Sequence, residues 1–192
     1  MKSLHKEVLR LAVPSILANI TVPLVGMVDI AIAGHISDAS AIGGIAIGAM
    51  LFDLLYWNFG FLRAGTGGLT AQAFGRNDVA ACRTNLRRGV LTALLFSLVI
   101  LAVQWPFQKL MFVFVRCSDE VRELALRYFY LRVWAAPATL VLMVLRGWFI
   151  GMQDSFSSML TDVFVNGVNI ILSIVLSAGI PATGFRGLGY IG

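Results

Sequence analysis

Charge is scarce in this sequence. Asp, Glu, Lys and Arg make up 13% of its 192 residues and 58% are hydrophobic, with a mean hydropathy of +0.84. An average soluble domain is about 25% charged and roughly 45–50% apolar, so this chain has more apolar surface than a water-soluble core can bury, and that class is excluded. Cysteine and histidine are scarce too: Cys82, Cys117, His5 and His35 stand alone, with no spacing that suits a metal site. An intramembrane metalloprotease would need H-E-x-x-H on one helix, and a polyprenyl transferase would need clustered acids for Mg²⁺. Neither pattern occurs, so the sequence reads as a protein that is not an enzyme and uses no cofactor. Internal repeats, low-complexity tracts and Pro/Gly/Ser linkers are absent as well.

Long uncharged runs take their place. A helix needs about 20 apolar residues to cross a hydrocarbon core of roughly 30 Å. Leu11 to Ala33 contains one ionisable residue, Asp29; Gly89 to Gln108 and Val163 to Phe185 contain no Asp, Glu, Lys or Arg. Ala39 to Leu62 carries only Asp53, and Val133 to Leu145 lies between Arg132 and Arg146, which can snorkel to opposite interfaces. The expectation is an all-α polytopic membrane protein with helices near 11–33, 39–62, 89–108, 129–150 and 163–183, a sixth starting near 187–192, and residues 1–192 forming one transmembrane lobe. Because the chain stops inside the Gly-rich stretch Gly184, Gly187, Gly189, it reads as a fragment.

Basic residues set the expected orientation. Lys2, Lys6 and Arg10 precede the first run as in a signal peptide, but the run is too long for one and holds Pro14, Pro23 and Asp29, so it reads as a retained helix. Arg76, Arg83, Arg87 and Arg88 follow the second run, whereas the connection near His35 and Asp38 has no Lys or Arg, which puts the N-terminus in the cytoplasm. Lys109, Arg116 and Arg122 then lie outside, partly offset by Asp119, Glu120 and Glu123. On this topology Cys82 and Cys117 sit on opposite membrane faces and cannot pair. The net charge of +5 is accounted for by loop bias and attraction to anionic lipid, not by nucleic acid.

Polar groups at membrane depth are the candidates for function. A carboxylate near a bilayer centre costs roughly 2.5–3.5 kcal/mol on insertion scales and is kept mainly where it lines a path or cavity, which singles out Asp29. Its charged form is the costly one, so proton exchange is a natural use for it; the bland alternative is a group capping the outer interface. Pro23 and Pro14, lacking an N–H, free the carbonyls of Asn19 and Arg10 and make the helix bendable. Ser15, Val22, Gly26, Asp29 and Ala33 share one mostly small face. Further on, Asn166, Asn169, Ser173 and Ser177 follow i, i+3, i+7 and i+11, a polar stripe that turns from lipid toward the lobe interior, for packing or for function. Asp53 shares a face with Tyr56 and Gly60 and has no obvious partner; Tyr56, Trp57, Phe59 and Phe61 read as a belt or as packing.

Several stretches together resemble the MATE (multidrug and toxic compound extrusion) family, in its DinF-like branch. The first helix, Pro14 through Asn19-Ile20-Thr21-Val22-Pro23 to Val28-Asp29 and Gly34-His35, is similar to the family's bent first helix. Phe61-Leu62-Arg63, Thr66, Gly68 and Leu69-Thr70-Ala71-Gln72-Ala73-Phe74-Gly75 resemble the branch signature after the second helix, and Arg146-Gly147-Trp148 with Gly151 and Gln153 the end of the fourth. The resemblance implies two six-helix lobes, of which this chain matches the first, and a C-terminal lobe missing from it. It implies an antiporter in a bacterial inner membrane, multi-pass, that exports organic cations or amphiphiles in exchange for H⁺ or Na⁺ by alternating access. The cation-coupling Asp falls on Asp29, the helix-bending Pro on Pro14, and a fifth-helix Asn on Asn169. Many relatives have Asp four residues after that Asn, where this chain has Ser173; this weakens a two-acid Na⁺ site and favours one centred on Asp29. Asp162, on the face of Asn166, is a secondary substitute. A lipid or glycolipid flippase of a related superfamily is the alternative, but its phosphate-holding cavity would be basic, whereas these stripes are acidic and neutral.

Overall fold

The computed structural model describes residues 12, 13, 16, 20, 23, 27, 39–180 and 185–186. Pro14, Asp29, most of the expected first helix and the stretch 187–192 lie outside these residues. Of the first helix, Val13, Ile16, Ile20, Pro23 and Met27 are helical and exposed.

Six α-helices follow in the described residues: α1 (Ala39–Trp57), α2 (Gly60–Gly75), α3 (Val79–Phe114), α4 (Asp119–Arg132), α5 (Ala136–Gly151) and α6 (Ser155–Ala178). A 3₁₀ turn, Val133–Ala135, joins α4 to α5. Two strands of two residues each, β1 (Gly179–Ile180) and β2 (Phe185–Arg186), pair antiparallel with Gly179 opposite Arg186. They add a short hairpin to an otherwise helical chain. Four helical stretches among the described residues are long and apolar enough to cross a membrane: Ile42–Gly75, Val79–Phe114, Asp119–Gly151 and Ser155–Leu172.

The helices do not stop where the uncharged runs stop. The second stretch continues from the expected end at 62 to Gly75, and α3, at 36 residues, is about 54 Å long against a hydrocarbon core of roughly 30 Å. Charged residues end a hydropathic run but not a helix, because Arg and Lys are good helix formers once they reach the headgroups. At the other end of the chain the helix closes at Ala178, whereas the expected span runs to 183; the next two residues belong to β1.

Two long stretches are interrupted. At Asn58–Phe59 the ladder tightens, with Phe59 N donating to the Tyr56 carbonyl at 2.9 Å and Leu62 N to that of Phe59 at 2.9 Å. Between α4 and α5 the 3₁₀ turn precedes Pro137, which has no N–H to continue an α ladder and is tolerated only in a helix's first turn. By contrast, Pro106 lies inside α3, where its missing N–H leaves the Ala102 carbonyl without its ladder bond.

Two compact units divide the chain: Ile47–Asp154, and a second made of Met1–Ala46 with Ser155–Gly192. In the first unit, α2 crosses α5 with glycines at the contact. A Cβ on Gly67 would stand 3.1 Å from the Gly147 carbonyl oxygen, and one on Gly151 would stand 2.6 Å from that of Gly67. A Cβ on Gly147 would collide with the Arg63 carbonyl oxygen. Small residues at a membrane helix crossing let backbones touch, which supplies the dispersion contact that lipid cannot drive hydrophobically. Leu51, Phe52, Phe129, Val133, Leu140 and Val144 fill the core beside this crossing.

Both α2 and α5 end in the same way. Asn77 and Gln153 take left-handed φ values of 57° and 59°; Asp78 N then reaches the Ala73 carbonyl at 3.0 Å and Asp154 N that of Phe149 at 2.9 Å. These are Schellman-type closures, each followed at once by a new helix. The Asp78 carboxylate caps α3 by accepting from Ala81 N at 2.8 Å.

Candidate functional site

Ring contacts show which parts of the helices meet in the first unit. Phe107 stacks on Phe129 at 6.1 Å and Phe129 on Phe52 at 5.0 Å, so α1, α3 and α4 meet at one level, beside the last residues of the uncharged run Gly89–Gln108. At the opposite end the Trp148 indole donates to the Cys82 carbonyl at 2.9 Å, and Gly151 sits against Thr70. Asp53 adjoins Phe52 on α1, within the apolar stretch Ile42–Gly75. Its side chain is exposed. The rings named with it divide: Tyr56 stacks on Phe52 at 5.8 Å, Phe59 and Phe61 pack edge-on against Phe96 at 5.5 and 5.7 Å, and Trp57 is 84% exposed.

About 10 Å inward from Phe52 along the helix lies the break at Asn58–Phe59. A pocket of about 130 Å³ opens beside it, lined by Leu55, Phe59, Val99, Val103, Gln104 and Phe107 among others. Gln104 is the one polar side chain in this lining, and its Oε1 is buried without a hydrogen-bond partner.

The second unit carries the polar stripe. Asn166 is half-buried on α6 and Asn169 is exposed; Ser173 lies in the helix, and its side chain and that of Ser177 are outside the described residues. Asp162 is half-buried with its Oδ1 fully covered. The stripe is longer than the four residues expected from the sequence. Ser155 and Ser158 are each 8% exposed and precede Asp162 by seven and four residues, so they continue the same helical face toward the start of α6. Along this face the two serines are buried, Asp162 and Asn166 are half-buried and Asn169 is exposed. A polar face closed at one end and open at the other can admit water or a polar ligand from the open end, which a stripe used only for interhelical hydrogen bonds would not require. The period of the two serines is present in the sequence, but hydropathy hides them, because the uncharged run that marks the span begins at Val163, past both. The expected site thus divides: Asp162, Asn166 and Asn169 share one described face, Asp53 belongs to the other unit, and Asp29 and Pro14 lie outside the described residues.

Comparisons with known proteins bear on the chain as a whole. The family model MatE matches residues 14–175. The DNA damage-inducible protein F of Escherichia coli (strain K12) is 37% identical over 180 residues, covering 94% of this chain and 39% of that protein. A probable multidrug resistance protein NorM of Pasteurella multocida (strain Pm70) is 28% identical over 189 residues, covering 96% of this chain and 40% of its own. Among solved structures, an outward-facing multidrug resistance MATE family transporter of the MOP superfamily superposes with a TM-score of 0.83 at 20% identity, over 97% of this chain and 40% of that one. A MOP superfamily transporter from Pyrococcus furiosus superposes with a TM-score of 0.82 at 20% identity and the same coverage. The chain spans about 40% of the length of these relatives.

Proposed function

Since the chain belongs to the MatE family of membrane transporters, we propose that it forms the N-terminal lobe of a secondary antiporter that exports cationic or amphiphilic compounds in exchange for H⁺ or Na⁺. The lobe works with a C-terminal lobe in a bacterial inner membrane, its N-terminus in the cytoplasm. The observation that carries this reading is the α6 face, whose polar groups pass from buried to open along one helix. In an alternating-access cycle such a face is wetted from one side at a time. Relatives named for multidrug resistance support the substrate class.

Asp29 is the coupling group in this reading. Among the described residues Ile16, Ile20, Pro23 and Met27 are exposed, and in the sequence Asp29 falls outside their three- and four-residue register, as a coupling group should. Asn166, Asn169 and Ser173 complete the polar path, Asp162 and Asp53 are secondary, and Pro14 and Pro23 let the first helix bend. Protonated and deprotonated Asp29 favour different helix positions, and only such a differential affinity lets an ion shift a conformational equilibrium.

Two outcomes follow. Within a complete two-lobe transporter, Asn169→Leu lowers drug efflux strongly while Val175→Leu leaves it near normal, because only Asn169 lies on the polar face. Equal, near-normal efflux by both would reduce the stripe to packing. Cysteine labels near Arg83 react with impermeant maleimide only in inverted vesicles, and labels near Asp38 only in intact cells; the reverse pattern would overturn the orientation.

A further inference from the structure

We infer that the exposed face of α3 is a binding site for an anionic phospholipid, with Arg83, Arg87 and Arg88 on the headgroup and Leu91, Leu95 and Leu98 along an acyl chain. The spacing 83, 87, 91, 95 and 98 advances by three or four residues each time, so these side chains stack on one side of the helix, with Arg88 flanking it. All are exposed, the three leucines at 57%, 62% and 63%.

Length fixes where this face lies. The uncharged run begins at Gly89, and Arg83 stands six residues earlier, about 9 Å farther out and within the headgroup zone. Trp148 anchors the same level through its bond to the Cys82 carbonyl. At the far end the stripe continues to Trp105, with the Lys109 ammonium 3.7 Å from its ring centroid. Arg87 and Lys109 are 22 residues apart, about 33 Å along the axis, which matches a hydrocarbon layer bounded by a cation at each edge. A face with that period faces lipid.

Charge then selects the lipid. Arg83, Arg87 and Arg88 make no ion pair among the described residues, and the nearest acid along the chain, Asp78, is committed to capping Ala81 N. Three guanidiniums within six residues repel one another, an arrangement that an anion relieves. The far end differs, because Asp119, Glu120 and Glu123 stand close to its basic residues in sequence. Guanidinium forks suit a phosphodiester, and the leucines supply the acyl contact that a free phosphate lacks.

Native mass spectrometry of the full chain released from detergent tests this. With phosphatidylglycerol the protein retains bound lipid; with phosphatidylethanolamine at equal concentration it retains less. The triple change Arg83→Gln, Arg87→Gln, Arg88→Gln weakens phosphatidylglycerol binding about a hundredfold, at roughly fivefold per arginine, and the matched Lys triple keeps most of it. Should the Gln triple fail to fold, Arg87→Gln alone still gives the fivefold loss. Equal retention of the two lipids, or equal affinity of wild type and either Gln variant, overturns the site. Displacement of the lipid by millimolar inorganic phosphate also overturns it, since the leucine stripe would then contribute nothing.

Discussion

Efflux of a fluorescent organic cation from proteoliposomes under an imposed pH gradient is expected to fall to the rate of protein-free liposomes when Asp29 is replaced by Asn in a complete two-lobe transporter. Insertion and yield stay normal. Asn is nearly the shape of protonated Asp and inserts more easily, so the change removes the titration and leaves the bulk. An antiporter whose coupling ion no longer distinguishes two conformations has no means of converting a gradient into transport. Drug binding in the absence of a gradient survives, which separates a coupling defect from a misfolded protein. Wild-type efflux by the Asp29→Asn protein would take Asp29 out of the mechanism and move the search to Asp162 and Asp53. Replacing Ser173 by Asp supplies the second acid that the family resemblance implies at this position; this variant keeps transport while changing its dependence on Na⁺.

Thermal stability is expected to respond sharply to a glycine at the α2–α5 crossing and hardly at all to the α2 glycines with open space around them. Gly147→Ala drives a methyl group into the Arg63 carbonyl oxygen, a backbone atom that cannot rotate away, so α2 and α5 must separate along their whole crossing. Overpacking of this kind costs about 1–3 kcal/mol. Gly65 and Gly68 lie on the same α2 helix, but a methyl group added at either would have nothing within 4 Å, so Ala there should be neutral or stabilising by about 0.4–1 kcal/mol. Fluorescence-detected size exclusion after a heating series measures all three. A Gly147→Ala protein as heat-resistant as Gly68→Ala would show that the crossing yields easily and does not hold the first unit together.

Much of the candidate site is legible in the sequence. Asn166 and Asn169 are recognisable because polar residues three apart in an apolar run must share a helical face. Ser155 and Ser158 obey the same rule but stand outside the uncharged run that defines the span, so hydropathy gives them no weight. The two Schellman closures leave a trace as well: Gly75-Arg-Asn77-Asp78 and Gly151-Met-Gln153-Asp154 match in pattern, and in each the third residue takes the left-handed turn. Asp53 cannot be ranked in this way. An acid in an apolar run looks buried in the bilayer until its surroundings are known, and only the structure shows its side chain exposed beside Phe52, which stacks on Phe129.

Membrane class, helix-rich fold, family resemblance and the polar stripe of α6 were determined by the sequence alone, because hydropathy, charge placement and helical period are properties of one segment at a time. The α2–α5 crossing, the breaks at Asn58–Phe59 and Val133–Ala135, the exposure of Asp53 and the exposed side of α3 were decided only by the tertiary structure. Each of these depends on a pair of segments: a glycine is an interface residue only if another backbone lies against it, and a leucine faces lipid only if no helix covers it. A one-dimensional pattern records what each residue can tolerate, and packing decides which of those tolerances is used.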